Sequence, residues 1–364
     1  MSSATGTGLV VDIVINNHNY GTYLNEAIES ARAQTHERVN VIVVDDGSTD
    51  DSREILREQD GDVSVVLKGN GGQASALNAG MEHSTGDIVM FLDADDLLRP
   101  EAAGLVADAF AADERVGKVQ FRMEVIDAAG KPSGTIKPPS HIPLPNGDLR
   151  HAELAYPYDL VWMATSANAF RASALRRILP IPEHDYPVAG ADWYLIHLTA
   201  LLGRVVSLNP VGACYRIHGG NSYEPQDASL DLPRVRQAVR YADVTSRELL
   251  RLAGDLDQPH PDSILSIADL ANRLISLKLD PLRHPVASDS AWSLVRDALG
   301  AARRRDNVSA AMKLMLIGWF MAMAVAPRGT GRRLAELFLF PEQRGALNRL
   351  LGRLHRSGGG LAAA

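Results

Sequence analysis

The run Asp87-Ile88-Val89-Met90-Phe91-Leu92-Asp93-Ala94-Asp95-Asp96 decides how this chain reads. Its apolar stretch predicts a buried strand, and three carboxylates follow at one point. Carboxylates crowded like this repel one another and are costly to desolvate. Something positive is the simplest reason to keep them together. A divalent ion such as Mg²⁺ or Mn²⁺, itself holding phosphates, is the leading candidate. The plain alternative is a turn or helix cap, where Asp is common. The neighbouring segments choose between the two.

Upstream, strand and helix signals alternate. Leu9 to Ile15 reads as a buried strand, and Tyr23 to Gln34 as a helix with Leu24, Ala27, Ile28 and Ala31 on one face. Val39 to Val44 is a second strand, and Ser48 or Thr49 can cap a helix through Gln59. Val63 to Leu67 is a third strand, and Gly69-Asn70-Gly71-Gly72 a loop. Ala74 to Met81 is a helix, Ile88 to Leu92 the fourth strand and Pro100 to Phe110 a helix. Such alternation means an α/β layer with a parallel sheet, and ligands bind beyond the carboxyl ends of its strands. Asn16 to Asn19, Asp45-Asp46, Lys68 to Gln73 and Asp93 to Asp96 all fall at those ends.

Downstream, Val116 to Val125 reads as a strand and Pro132 to Gly147 as a loop or lid. Regular structure resumes from Thr165 to Leu175. Asp192 to Leu202 is an amphipathic helix, and Val205 to Leu208 a short strand. After Tyr223 the character changes. Leu232 to Leu256, Ser263 to Leu279, Ala291 to Arg304 and Ser309 to Ala326 all read as helices. The expected organisation is residues 1–225 as one domain, split into 9–115 and 116–225. A helical domain over 226–356 and a disordered tail over 357–364 follow. The apolar stretch Leu314 to Ala326 is too short to span a bilayer. A helix buried in the C-terminal bundle is the first reading, a surface-lying or dimerising helix the second. Arg328, Arg332 and Arg333, followed by Leu334 to Phe340, would suit an anionic membrane surface, and equally a solvated basic face.

The 364 residues are ample for about two domains, and 46% hydrophobic with 22% charged residues is an ordinary globular composition. A net charge of -7 argues against nucleic acid as a partner. The single Cys214 lies in an apolar run, which excludes an intrachain disulfide and fits a buried thiol in a reducing compartment. The small, polar residues Met1 to Gly8 carry no signal-peptide core, so a cytoplasmic protein is expected.

Several segments now act as a set. Val14-Ile15-Asn16-Asn17-His18-Asn19, Val41 to Asp50 with its Asp45-Asp46-Gly47-Ser48, Asn78-Ala79-Gly80 and Phe91 to Asp96 resemble the family 2 glycosyltransferases. Thr165 to Arg171, Gly190 to Leu195 and Tyr215 to Asn221 look like the acceptor-side signature of bacterial members, so the resemblance covers about residues 9–223. It implies a GT-A fold, a Rossmann-like nucleotide-binding sheet fused to an acceptor half, here with a helical C-terminal extension. It also implies inverting, metal-dependent transfer from a nucleotide-sugar to an acceptor hydroxyl. Departures exist: Asn16 stands where many members have Pro, His18 where many have Tyr, and Ala191 where many have an acidic residue.

The resemblance carries roles to matching positions. Asp192 would be the base; as the start of a helix it could instead be an N-cap. Asp95, then Asp96, would ligate Mg²⁺ or Mn²⁺. His218 would complete the metal or diphosphate site, or be hydrogen-bonded within its loop. Asp46 would read a base imide, as in uracil, thymine or guanine. Asn16, His18, Lys68 and Asn78 would contact the nucleoside, with Asn70, Gln73 and Asn78 as alternative loop organisers, and Asp93 would face the ribose or share the metal. Asn168 and Trp193 would face the acceptor, with a place in the core as the alternative for Trp193. Donors carrying UDP, and after it GDP or dTDP, are expected. The acceptor would be a saccharide, a lipid-linked or a small molecule. Two rivals are a sugar-1-phosphate nucleotidyltransferase and a catalytically silent sugar-binding module. The first lacks its Gly-rich, basic loop after strand one. The acidic triplet and Asp192 speak against the second.

Overall fold

The computed structural model describes residues 8–59, 61–221, 229–305 and 308–340. The predicted tail lies outside them. The chain divides into two units, Met1–Leu149 with Trp162–Glu224, and Arg150–Val161 with Pro225–Ala364.

The first unit begins as an alternating α/β layer. It runs β1 (Val11–Asn17), α1 (Gly21–Arg32), β2 (Val39–Asp46), α2 (Ser52–Arg57), β3 (Val63–Lys68), α3 (Gln73–His83) and β4 (Ile88–Asp93). Four strands pair in parallel in the order β3-β2-β1-β4. The near-continuous apolar runs of β1, β2 and β4 follow from burial on both faces, while the edge strand β3 leaves Val65 and Leu67 exposed. Ile13, Ile15, Val43, Met90 and Leu92 pack against Leu24, Ile28 and Ala31 of α1 in one core. Each large side chain buried there stabilises by roughly 1.5–3 kcal/mol. On the other face α3 comes so close that a Cβ on Gly80 would sit 2.3 Å from Val14 Cγ1.

A two-residue β5 (Leu97–Leu98) leads to α4 (Ala102–Ala112), β6 (Val116–Asp127) and β7 (Pro132–Lys137). Helix α5 (Arg150–Ala155) goes with the second unit. The first unit then resumes with β8 (Asn168–Arg171), α6 (Ala172–Leu175), α7 (Ala191–Leu202) and β9 (Arg204–Ile217). The sheet continues from β4 through β8, β6 and β9 to β5, with β7 paired to β6. Three expectations are corrected here. The Pro-rich lid begins as the strand β7, whose exposed hairpin position leaves no apolar alternation to read. The short strand Val205 to Leu208 is the start of the 14-residue β9. Asn209-Pro210 mimics its end, but the register passes from Leu208 to Val211 with an irregularity that absorbs the proline. Helix α2 starts at Ser52, not at Ser48 or Thr49, because the Ser48 hydroxyl accepts hydrogen bonds from Asn17 Nδ2 and Asn19 N.

The second unit is helical, with α8 (Leu232–Asp255), α9 (Ile267–Leu279), α10 (Ala291–Arg304), α11 (Ala310–Val325) and α12 (Arg328–Leu339). Its core gathers Leu270, Leu274, Leu294, Ala298, Leu316, Phe320 and Met323. The segment 150–161, expected in the acceptor half, belongs here. Its Asp159 accepts the N–H groups of Ile267 and Ala268 at the start of α9 and pairs with buried Arg305 at 2.8 Å. A carboxylate at a helix N-terminus is favoured by both the free N–H groups and the dipole.

Candidate active site

Strand order places the site. From β1 the chain steps to β2 and β3 on one side, then returns to β4 on the other, so β1 and β4 flank a topological switch point. Asn16, next to last in β1, and Asp93, last in β4, are register partners. Asn16 Nδ2 donates to Asp93 Oδ1 at 2.8 Å, while the buried Asn16 Oδ1 has no partner among the described residues. Burial, then the charge of Asp95, pushes the Asp93 carboxyl up to about 7 against the pull of the Asn16 amide; the Asp192 charge adds to the rise.

The other strand ends converge next to it. Asp45 is fully buried. Burial acts to raise its pKa, but hydrogen bonds from Ser48, Arg53 and Asn17 outweigh it and hold the carboxyl below its ordinary range. Asp46 is occupied by its own chain: Lys68 Nζ lies 2.6 Å away, and the N–H groups of Gly71 and Gly72 donate at 2.9 and 2.7 Å. His18 Nδ1 lies 2.8 Å from the Asp46 carbonyl, and its Nε2 faces the amides of Asn19 and Asn70. That pattern fits a proton on Nδ1.

Among the three carboxylates of the opening run, roles separate. Asp95 Oδ2 meets His218 Nε2 at 3.0 Å, with Asn221 Nδ2 at 3.5 Å. Tyr20 and Tyr23 flank the imidazole, with ring centroids 5.5 and 4.9 Å away. Asp96 turns inward and is 1% exposed. Its carboxyl accepts the Arg216 N–H at 3.0 Å and bonds the Ser166 hydroxyl. Burial and the charges of Asp95 and Asp93 push it well above the usual carboxylate range. Of the two expected metal ligands, Asp96 is thus engaged with β9 while Asp95 faces His218. Arg216 is itself buried. It donates to the Asp95 and Ala128 carbonyls and to Glu26, and its guanidinium lies 4.8 Å from the Tyr23 ring centroid.

Asp192 lies in the first turn of α7. The helix N-cap is Gly190, so Asp192 is not the cap. Its carboxylate accepts the Trp193 N–H at 3.0 Å. Burial pushes it up to about 6; the Trp193 N–H and the charges of His197 and Lys118 oppose that rise. Trp193 is half-buried with its ring 5.9 Å from His197. Lys118, fully buried, sits 4.0 Å from the Trp162 ring centroid.

Asn78 and Asn168 both make contacts within the protein. The Asn78 amide is used on both sides by Ile181, donating to its carbonyl at 3.0 Å and accepting its N–H at 2.8 Å. It clamps a distant loop, in line with its alternative reading as a loop organiser. Asn168 is fully buried in β8 and donates to the carbonyls of Met163 and Ala164, so it shapes the turn before the strand. Gln73 was foreseen as a loop organiser, and its reach is wider. Its Nε2 lies 3.4 Å from both Asp93 Oδ1 and Thr165 Oγ1, and its Oε1 accepts the Ala191 N–H at 3.1 Å. One side chain thus joins β4 to the start of α7. Its neighbour Gly72, at φ +84°, presses so tightly on the Pro187 carbonyl that a Cβ would lie 2.1 Å from the oxygen.

No group of three or more His, Cys, Asp or Glu side chains among the described residues could by itself hold a metal ion. Asp95 and His218 offer one oxygen and one nitrogen. That set fits an ion completed by ligand phosphates, as Mg²⁺ usually is, and not an all-protein cage.

Residues 12–179 match the sequence model of Glycosyl transferase family 2. An uncharacterized glycosyltransferase of Nostoc sp. is 36% identical over 218 residues, covering 58% of this chain and 66% of the relative. Glycosyltransferase GlyG of Streptococcus pneumoniae is 37% identical over 94 residues, 25% of this chain and 31% of that protein. The chain thus spans about two thirds or less of these relatives. Staphylococcus aureus TarS, residues 1–349, has a similar structure, with a TM-score of 0.52 at 15% identity over 90% of both chains. No helix among the described residues is long and apolar enough to cross a membrane.

Proposed function

The chain belongs to glycosyl transferase family 2 through its first unit, with a GT-A fold and C-terminal helices, and from that premise we propose that it transfers a sugar from a nucleotide-sugar to an acceptor hydroxyl with inversion. The observation that carries this reading is the Gln73 bridge. It ties Asp93, on the donor side, to the helix start that bears Asp192. Asp192, raised to about 6, is a carboxylate at neutral pH that still has affinity for a proton, which is what a general base needs. It takes the proton of the acceptor hydroxyl as that oxygen attacks the anomeric carbon from the face opposite the leaving nucleoside diphosphate, the in-line geometry also used in inverting glycoside hydrolysis.

Asn16, His18, Lys68 and Asp93 form the nucleoside edge, and Asp46 reads the base once its loop contacts exchange. Asp95 and His218 would hold Mg²⁺ or Mn²⁺, and the ion would supply positive charge to the leaving diphosphate. Trp193, beside Asp192, offers a ring face to the acceptor sugar. TarS structures have been determined with UDP and with UDP-GlcNAc, and we take a UDP-sugar as the first donor to test, ahead of GDP- and dTDP-sugars. Polysaccharide or glycoconjugate synthesis in the cytoplasm is the setting this implies.

The test is donor hydrolysis and transfer, with Mn²⁺ and with chelator. Metal-dependent release of a nucleoside diphosphate supports the reading. Binding of nucleotide-sugars without turnover, under any metal and acceptor, would convert the protein into a silent sugar-binding module.

A further inference from the structure

Charge is unevenly distributed along this chain. Residues 303–364 carry eleven Lys and Arg against three Asp and Glu, in a protein whose net charge is -7. The remainder is correspondingly acidic. Such asymmetry between parts of one chain marks a region that meets an anionic surface.

The second unit shows what accompanies that charge. Helix α11 buries Met312, Leu316, Phe320 and Met323. On its opposite side Leu314, Gly318, Met321 and Val325, at spacings of four, three and four residues, form an exposed apolar stripe. Leu314 is 70% exposed and Val325 66%. A solvated helix face normally carries charge; this one carries none over the twelve residues from Leu314 to Val325. Helix α12 packs beside it, with Trp319 Nε1 donating to the Leu334 carbonyl, and exposes Arg328, Arg332 and Arg333. Arg332 and Arg333 line a cavity of about 400 Å³ with Gly329, Glu336 and Leu337. The Arg332–Glu336 pair at 3.1 Å is exposed and therefore weak, so it yields readily to a stronger anion.

Nucleic acid would meet the arginines but has no use for the apolar stripe. An anionic bilayer uses both, the stripe entering the acyl boundary while the arginines meet phosphate headgroups. We propose that α11 and α12 dock the protein on an anionic membrane surface, the stripe of Leu314, Met321 and Val325 as the inserting face and Arg328, Arg332 and Arg333 as the headgroup contacts. The docking does not depend on the transferase reading, since it needs no site of the first unit.

The test is co-sedimentation of the full chain with vesicles of phosphatidylcholine alone, and with vesicles of equimolar phosphatidylcholine and phosphatidylglycerol. Binding to the anionic vesicles alone, weakening with added salt, is expected. Arg328→Gln, Arg332→Gln and Arg333→Gln together should lower partitioning roughly hundredfold, at about fivefold per arginine. Leu314→Asp with Val325→Asp should abolish it while leaving the circular dichroism and melting temperature unchanged. Equal binding of both variants and the parent, or none to either vesicle, overturns the proposal. So does a dimer in light scattering that the aspartates dissociate, because the stripe then belongs to a second copy. Release of nucleoside diphosphate in solution is scored separately, so either idea can fail without the other.

Discussion

Asn16 and Asp93 stand opposite each other across the β1–β4 junction, and the Asn16 amide is the donor that holds the Asp93 carboxylate at 2.8 Å. A hydrogen bond to the charged form lowers a carboxyl pKa, so its loss must raise one. Asn16→Leu should therefore lift Asp93 further above its present value of about 7. Donor affinity at neutral pH should fall about tenfold, the worth of one charge-assisted hydrogen bond. It should recover at alkaline pH, where Asp93 ionises regardless. Calorimetric titration of UDP across that range is the measurement, and a pH-independent loss would assign Asn16 a merely steric role.

Asp192→Asn should leave UDP affinity intact and lower kcat by roughly 10²–10⁴. In the parent, kcat at saturating donor should decline as pH falls through about 6, where the base takes up a proton. That acidic limb should vanish from the residual activity of the variant. A limb that persists unchanged would move the base elsewhere.

Gln73→Ala removes the side chain linking Asp93 and Thr165 to the Ala191 N–H. Because it touches the start of α7, kcat should drop about tenfold or more with little change in donor KM. Equal loss in both would mean that the bridge serves donor binding alone.

Much of this arrangement is legible in the sequence. Strands β1, β2 and β4 announce themselves because both their faces are buried, leaving apolar runs that end in polar residues. What escaped was the fate of individual polar groups. Asp95 and Asp96 are adjacent and chemically alike, and only the path of β9 decides that Asp96 receives the Arg216 N–H while Asp95 faces His218. Asn78 and Asn168 sit in recognisable motifs, yet their partners Ile181 and Met163 carry no signal, being backbone atoms. Strand β7 was hidden by its exposure, and β9 by a proline that a register irregularity accommodates.

Gly72→Ala combines a left-handed φ of +84° with a Cβ 2.1 Å from the Pro187 carbonyl oxygen. The backbone strain alone is on the order of 1–3 kcal/mol. The clash should also push apart the segments that Gln73 joins, so activity should fall further than thermal stability suggests. Parallel melting and turnover measurements would separate the two effects.

In the helical unit, burial pushes Asp269 up to about 7, aided by Asp289 and Asp243 and opposed by Arg273, and its Oδ1 has no partner among the described residues. The folded state therefore holds this proton more tightly than the unfolded chain. Between about pH 4 and 7 it binds more protons, so stability falls as pH rises through that window. Asp269→Asn should flatten the dependence and stabilise the unit above pH 7 by on the order of 1–3 kcal/mol. Chemical denaturation at acidic and alkaline pH tests the sign.

The grip of Lys68, Gly71 and Gly72 on Asp46 means that the resting protein already contains its own competitor. In the proposed role of Asp46, a base docking on this carboxylate would gain only the difference between two sets of hydrogen bonds, so its recognition would be an exchange reaction. Bases without an imide or similar N–H would have nothing to offer in that exchange. Selectivity would then arise from the cost of releasing the loop, and association should be slower than diffusion by the fraction of time the loop is released.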